Sequence, residues 1–434
     1  MKGVEVGLGL GLGLVGVVVV GVGYAKGKGK REGEEGKKGE TTTELFPMET
    51  VMLKEKETTV TTVTFFAGDV RDAEDFLKPR MEAILQKNRW LAGAVGIKRG
   101  KGVLTFPGEE AGHLELPPDM FRVYDCDGEV SLHRGTDYAA FANCLSHRIV
   151  KAGPTNLVWT VTLIPDAREP STRFALVTSM AHAVGDGCTY YEIHNQLTGA
   201  CAIRAISPLR DWGVYERMRE ACTTLAEVFT GAFFTGIAFR MLYGLVTRKK
   251  PTMRLVYVNE EWVKAQKARV TSATGGREFI STNDAVTSWF FADMGAPMNL
   301  MAINFRGRIE NCSNDNAGNY EDMVYYLSGD ADEPLQIRRS LKGMRRTSDS
   351  QLGSTLSRLL GKGSLCTNWS TFAKPARIDK VVPDLHLPLF KSGDLPYGWA
   401  LCVLFKPDAA RTGILLLSYQ DPKDVEPMGD AIGF

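Results

Sequence analysis

Residues 178–191 read TSMAHAVGDGCTYY, and they decide how the rest of the chain is read. The apolar run RFALVTSM leads into His182, and four residues later Asp186 stands between Gly185 and Gly187. The run has the length and residue types of a buried strand. Gly-Asp-Gly is a turn signal, with glycines that tolerate positive φ, and CTYYEIHNQLTGA beyond it reads as a helix. A strand ending in histidine fixes the imidazole rigidly, where a near-neutral pKa lets it accept a proton at physiological pH. Asp186 need not touch a substrate, because a carboxylate turned away and paired with an arginine would pin the loop. The plain alternative is a satisfied core histidine, since a bare H-x-x-x-D arises often by chance. A metal site would need a third and a fourth ligand that the sequence does not nominate. A nucleophile is not indicated either, because G-x-S-x-G is absent and no cysteine sits in a catalytic context.

Outward from this segment, both halves of the chain mix strands and helices. TTVTTVTFF from Thr58, LVWTVTLIP, MNLMAINF and TGILLLSY read as strands, the last of them the final strand. AEDFLKPRMEAILQKN places Phe76, Leu77, Met81, Ile84 and Leu85 at helical spacing. STNDAVTSWFFADM and EPLQIRRSLKGMRR are two further helices. Residues 221–247 form a long apolar helical stretch followed by Arg248, Lys249 and Lys250. It reads as a buried or inter-domain helix, with an in-plane membrane helix over 228–247 as the alternative. His194 is expected on the surface of the helix after the motif. Trp289, Phe290 and Phe291 are expected in the core, and Arg338, Arg339, Lys342, Arg345 and Arg346 on a solvated helix face.

A chain of 434 residues suits about two domains. With 44% hydrophobic and 24% charged residues it is a folding composition. Lys+Arg 52 against Asp+Glu 51, with no long basic block in the body, speaks against nucleic acid as a partner. The 8 cysteines form no C-x-x-C pair, so they read as reduced thiols, neither zinc ligands nor a disulfide framework. The first residues differ from the rest. GLGLGLGLVGVVVVGVG at 7–23 is an uncharged apolar run, followed by the charged, glycine-rich KGKGKREGEEGKKGE. The run is shorter than the roughly 20 residues of a spanning helix. A signal peptide, a weak anchor, an organelle-targeting element and an extension without function all remain open. The resulting division is a leader and linker at 1–44, a first domain at 45–220, an apolar helix and crossover linker at 221–270, and a second domain at 271–434.

SMAHAVGDG, STNDAVTSWF at 281–290, NFRGRI at 304–309 and GNY at 318–320 follow one another in an order that resembles the BAHD acyltransferases. More broadly, the order resembles the CoA-dependent acyltransferase superfamily, which includes chloramphenicol acetyltransferases, condensation domains and wax-ester synthases. The FLKPRMEAIL helix followed by RWLAG is similar to the family's opening, and the resemblance covers residues 45–434. It implies an α/β protein of two similar chloramphenicol acetyltransferase-like domains, with the active site in a channel at their interface. It implies acyl transfer from an acyl-CoA to a hydroxyl or amine acceptor, with no permanently bound cofactor and no covalent acyl-enzyme. His182 would be the general base and Asp186 the loop anchor, paired with Arg306 or Arg308 and flanked by Gly185 and Gly187. Asp284 matches a family position, although Ser281 to Asp284 also reads as a helix cap. Thr367 and Ser370 are candidate hydroxyl donors to the oxyanion or plain pocket residues.

The sequence also departs from the family. Asp379 stands where Asp-Phe-Gly-Trp-Gly should begin but lacks the rest, and PYGWA at 396–400 is a partial echo elsewhere. Ala181 occupies the place of a second histidine found in condensation domains and wax-ester synthases. The acyl-CoA enzyme is expected as a monomer, membrane-associated or organelle-targeted through its N-terminal apolar segment, or else cytoplasmic. Two rivals stand beside it: a catalytically silent binding module, and a lipid acyltransferase held at a membrane through 7–23 or 228–247.

Overall fold

The computed structural model describes residues 39–433 apart from 54–57, 125–137, 146–149, 151–155, 223–230, 348–361 and 392–394. The apolar segment at 7–23 lies outside the described residues. The first half runs β1 (Glu40–Glu44), α1 (Pro47–Met52), β2 (Thr59–Ala67), α2 (Val70–Lys87), β3 (Ala94–Lys98), β4 (Lys101–Pro107), β5 (Phe121–Val123), α3 (Tyr138–Cys144), β6 (Trp159–Pro165), β7 (Arg173–Ala181) and α4 (Gly187–Leu197). Helices α5 (Trp212–Ala221) and α6 (Gly231–Thr247) lead to β8 (Thr252–Val258), α7 (Glu260–Ala273), α8 (Thr282–Met294), β9 (Met298–Asn304) and β10 (Glu321–Leu327). The chain continues through α9 (Pro334–Gly343), β11 (Gly363–Asn368), β12 (Val382–Pro388), β13 (Trp399–Phe405), β14 (Gly413–Ser418) and β15 (Met428–Ala431).

Two lobes result. The first holds a sheet in the order β12-β2-β7-β6-β5 and a smaller one, β1-β4-β3; the second holds the sheet β10-β9-β11-β13-β14-β8-β15. Side chains alternate across a strand, so each central strand of the second sheet feeds two cores. Leu401, Val403 and Phe405 of β13, with Leu415 and Leu417 of β14, share one core with the first lobe. Ala400, Cys402, Leu404, Ile414 and Leu416 face the opposite side, where Trp262, Phe290, Phe291 and Ile337 of α7, α8 and α9 cover them. The face that β9, β10 and β11 turn toward the first lobe is therefore the face that can build a cleft. On the first lobe, α2 buries Ala73, Leu77, Met81, Ile84 and Leu85 as a helical stripe despite Pro79.

Several expectations change. Residues 40–44 are not linker: they pair with β4 from Glu40↔Pro107 to Glu44↔Val103. Residues 252–273 are not a crossover linker either, because β8 lies inside the second sheet and α7 packs on it. The crossover lies later, where β12 leaves the second half and pairs with β2, His386 opposite Thr64. TGILLLSY is not the last strand, since β15 pairs with β8 beyond it. The 221–247 stretch spans the end of α5 at Ala221 and a separate helix, α6. That helix is buried on one side only: Ile237 is 3% exposed, whereas Phe239 is 73%, Leu242 58% and Val246 74%. Among the described residues no helix is long and apolar enough to cross a membrane.

Candidate active site

β7 ends at Ala181, and His182 follows on a turn fixed from three directions. Its N–H donates to the Thr58 carbonyl (3.0 Å), and its carbonyl accepts from the Gly185 N–H (3.3 Å) and from Asn319 Nδ2 (2.7 Å). The imidazole retains 19% exposure, and its Nε2 lies 3.8 Å from Glu321 Oε1 at the start of β10. Nδ1 is buried without a hydrogen-bond partner. Burial pushes the ring's pKa below 6.5, opposed by its own backbone, Asp186, Asn319 and Glu49. The ring is thus an uncharged imidazole at physiological pH, facing the second lobe.

Asp186 turns away from the ring. It is the N-cap of α4: Oδ1 accepts the Thr189 N–H (2.8 Å), while Oδ2 accepts Arg306 Nη1 (2.6 Å) and the Tyr320 N–H (3.0 Å). The pair is 1% exposed on each side. Arg306 also donates to Asn304 Oδ1, Thr189 Oγ1 and the Asn316 and Gly318 carbonyls. Of the two arginines left open by the sequence, Arg306 makes the pair and Arg308 donates to the Leu341 carbonyl instead. Gly307, at φ +73°, separates the two and reverses the chain between them.

The glycines of the motif serve space, not the positive φ expected of them; neither lies in the left-handed region. A Cβ on Gly185 would meet Thr189 Cγ2 at 2.5 Å, and one on Gly187 would meet Trp369 Nε1 at 3.3 Å. Positive φ is needed later, at Gly318 (φ +138°), where a Cβ would also strike the Arg210 guanidinium at 2.9 Å.

A second buried ion pair supports the same turn and was not read from the sequence. Arg210 and Glu49 are each 0% exposed and meet at 2.8 Å. Glu49 Oε1 accepts the Asn319 N–H (2.9 Å) and its Nδ2 (3.0 Å), the same nitrogen that holds the His182 carbonyl. Arg210 donates to the Val184 and Ala317 carbonyls. The GNY segment is therefore fastened to one ion pair through Asn319 and to the other through Tyr320. Glu321 follows directly, and β10 turns it toward the first lobe along with Met323 and Tyr325. Burial pushes its carboxyl up to about 8, with Asp186 adding to the shift and Arg306 opposing it.

The remaining candidates lie elsewhere. Asp284 sits in the first turn of α8, closes a capping box with Ser281 and pairs with Arg338 at 2.7 Å, on the sheet face away from the first lobe. Thr367 follows Cys366, where the β9–β11 pairing ends, on the same face as Leu365, which belongs to the core shared with the first lobe. The Ser370 hydroxyl donates to Asn368 Oδ1 at 2.6 Å and lines a different cavity of about 180 Å³ with His194 and His386. His194 is not on a surface: it is 4% exposed and stacks on Tyr190, because α4 is packed on every side except at Glu192. Arg338, Arg339 and Arg346 of the basic run are held by Asp284, Glu278 and Asp330. The six described cysteines are free. Burial pushes the Cys188 thiol up to about 12, so the sulfur nearest the motif is no thiolate.

No family model matches the chain, and no curated protein sequence does. Solved structures do match. TRI101 of F. graminearum, complexed with coenzyme A and T-2 mycotoxin, is 12% identical with a TM-score of 0.56, covering 88% of this chain and 95% of that one. TRI101 of F. sporotrichioides, complexed with coenzyme A and T-2, is 12% identical at a TM-score of 0.53 over the same shares. The first condensation domain of the calcium-dependent antibiotic synthetase is 15% identical at 0.50, covering 85% and 87%. The chain has the two-lobed α/β fold that these proteins share.

Proposed function

We propose that the chain is an acyltransferase that moves an acyl group from an acyl-CoA thioester to a hydroxyl or amine acceptor, most similar in its motif order to the BAHD enzymes. The observation that carries this reading is His182 Nε2, partly exposed between the lobes while the turn beneath it is tied down by two buried ion pairs. His182 takes the acceptor's proton as the acceptor attacks the thioester carbonyl. The tetrahedral intermediate collapses, the C–S bond breaks, and His182 returns the proton to the CoA thiolate. No side-chain nucleophile takes part, so no acyl-enzyme forms. Asp186, Arg306, Glu49 and Asn319 are positioning residues, and Thr367 faces the first lobe as a candidate donor to the oxyanion. Acyl-CoA is a substrate, and the protein carries no resident cofactor. An acyl-CoA panel incubated with alcohols, amines and lipids, read by free-thiol release and intact-protein mass, tests this. Acceptor-dependent thiol release without a mass adduct supports it; a stable acylated protein would contradict the direct mechanism.

One observation favours a membrane-associated version. Phe239, Leu242 and Val246 share the exposed face of α6, and Arg248, Lys249 and Lys250 follow it. An apolar stripe with a cationic flank suits a surface of anionic lipid, with the helix lying in the plane. Residues 39–434 should float with phosphatidylserine vesicles and lose this when Phe239, Leu242 and Val246 are changed to Glu; purely soluble behaviour would count against it.

A further inference from the structure

Glu321 is the titratable group beside His182 that transfer to an alcohol leaves idle. Its Oε1 is 3.8 Å from Nε2, too far for a direct hydrogen bond. A nucleophile within hydrogen-bond reach of Nε2 therefore comes within reach of the carboxyl as well. The neighbouring charges are committed elsewhere, Asp186 to Arg306 and Glu49 to Arg210. Among the described residues His182 is the one ion-pair contact that Glu321 makes. The adjoining wall is apolar: Met52 packs on Ala183, with Met48 and Met323 beside them. A half-buried carboxyl without a cation of its own, opening on the reacting position, is built to receive a cation.

The acceptor's own proton inventory gives that cation a chemical meaning. An alcohol sheds one proton during acylation, and His182 alone can take it. A primary amine arrives as an ammonium ion and must shed two. We propose that the acceptor is a cationic primary amine, bound by the Glu321 carboxylate and deprotonated by it before His182 completes the transfer. This inference rests on the acyl-transfer reading above. In the first step the ammonium N–H bond breaks and the proton passes to Glu321, which leaves the nitrogen lone pair free. The amine then forms the C–N bond at the thioester carbonyl, and its second proton passes to His182 Nε2. Collapse breaks the C–S bond and His182 protonates the departing thiolate. Glu321 keeps the proton taken from the ammonium, as in the empty site, so the one proton released is the one expelled on binding. The balance is ammonium plus acyl-CoA giving amide, CoA thiol and one proton. Because burial raises the Glu321 carboxyl, the empty site holds a proton and binding of an ammonium ion expels it. The charged groups around Glu321 that set this exchange are Asp186, Arg306 and Asp322.

One molecule that offers both nucleophiles tests the proposal. With acetyl-CoA and 6-aminohexan-1-ol, the wild-type chain should yield the N-acetyl product in excess over the O-acetyl product. Glu321→Gln should lower that product ratio by about tenfold or more, the size of one lost charge-assisted hydrogen bond. Glu321→Asp, which keeps the carboxylate, should recover part of it. A merely structural role would lower both products together and leave the ratio in place. O-acetylation as the main wild-type outcome, or an unmoved ratio in Glu321→Gln, overturns the amine assignment while leaving acyl transfer intact. No product at either end, together with no acetyl-CoA binding by calorimetry, overturns acyl transfer itself and this inference with it.

Discussion

Asp186 and Arg306 meet at 2.6 Å with 1% exposure on each side, so removing one charge strands the other in a dry site. Breaking such a pair costs about 3–5 kcal/mol. Arg306 keeps Asn304 Oδ1, Thr189 Oγ1 and the Asn316 and Gly318 carbonyls, which argues for the lower end. Asp186→Asn retains an oxygen for the Thr189 N–H, so the helix cap survives and the expected loss is about 3 kcal/mol. Asp186→Ala loses the cap as well, worth about 1 kcal/mol more. Urea unfolding at pH 7, followed by circular dichroism and tryptophan fluorescence, measures both. The double variant Asp186→Leu/Arg306→Met removes the stranded charge and should be more stable than Asp186→Ala alone. An Asp186→Ala loss under about 1 kcal/mol, the range of exposed pairs, would refute the reasoning. So would a double variant whose loss equals the sum of the losses of Asp186→Leu and Arg306→Met measured singly.

Three further outcomes follow from the same site. Glu49→Ala should lower kcat by about 10² with little change in KM, because Asn319 loses its anchor and the imidazole shifts; Asn319→Ala should do the same, and the combination should add little. The folded chain holds a proton on Glu321 that the unfolded chain releases near its ordinary 4.5, so stability should fall as pH rises from 4.5 to about 8. Urea midpoints at pH 5 and 8.5 should show a smaller fall in Glu321→Gln, and equal falls would contradict the assignment. Because burial depresses the His182 pKa, the acid limb of the kcat/KM profile with an alcohol acceptor, which makes no use of Glu321, should have its midpoint below 6.5; a midpoint above that value would mean the ring is held in a charge-stabilising environment.

How far the sequence reaches depends on how local each determinant is. The α2 stripe and the β7 run are written in their own periodicity, and Asp186 caps α4 only three residues from Thr189. His182 and Asp186 are legible because strand, turn and helix adjoin in the chain. Arg306 could not be told from Arg308, since the choice depends on the turn at Gly307 and on a contact 120 residues away. Glu49 lies on a six-residue helix whose partner Arg210 is 161 positions distant, and no local pattern marks it. Glu321 had a weak signal, being two residues past the asparagine of GNY, but its facing is set by the alternation of β10. His194 misled because helical spacing predicts one wet face, whereas His194 of α4 packs against His386 and its neighbour Tyr191 against Trp369.

The direct trial of the account is thiol release by His182→Ala from an acyl-CoA and an accepted acceptor, with the variant's fold verified by its urea transition. The imidazole is the proposed base, so the rate should fall by about 10²–10⁴ while CoA binding persists. A folded His182→Ala chain that releases CoA at the wild-type rate would contradict the claim that this ring carries the reaction.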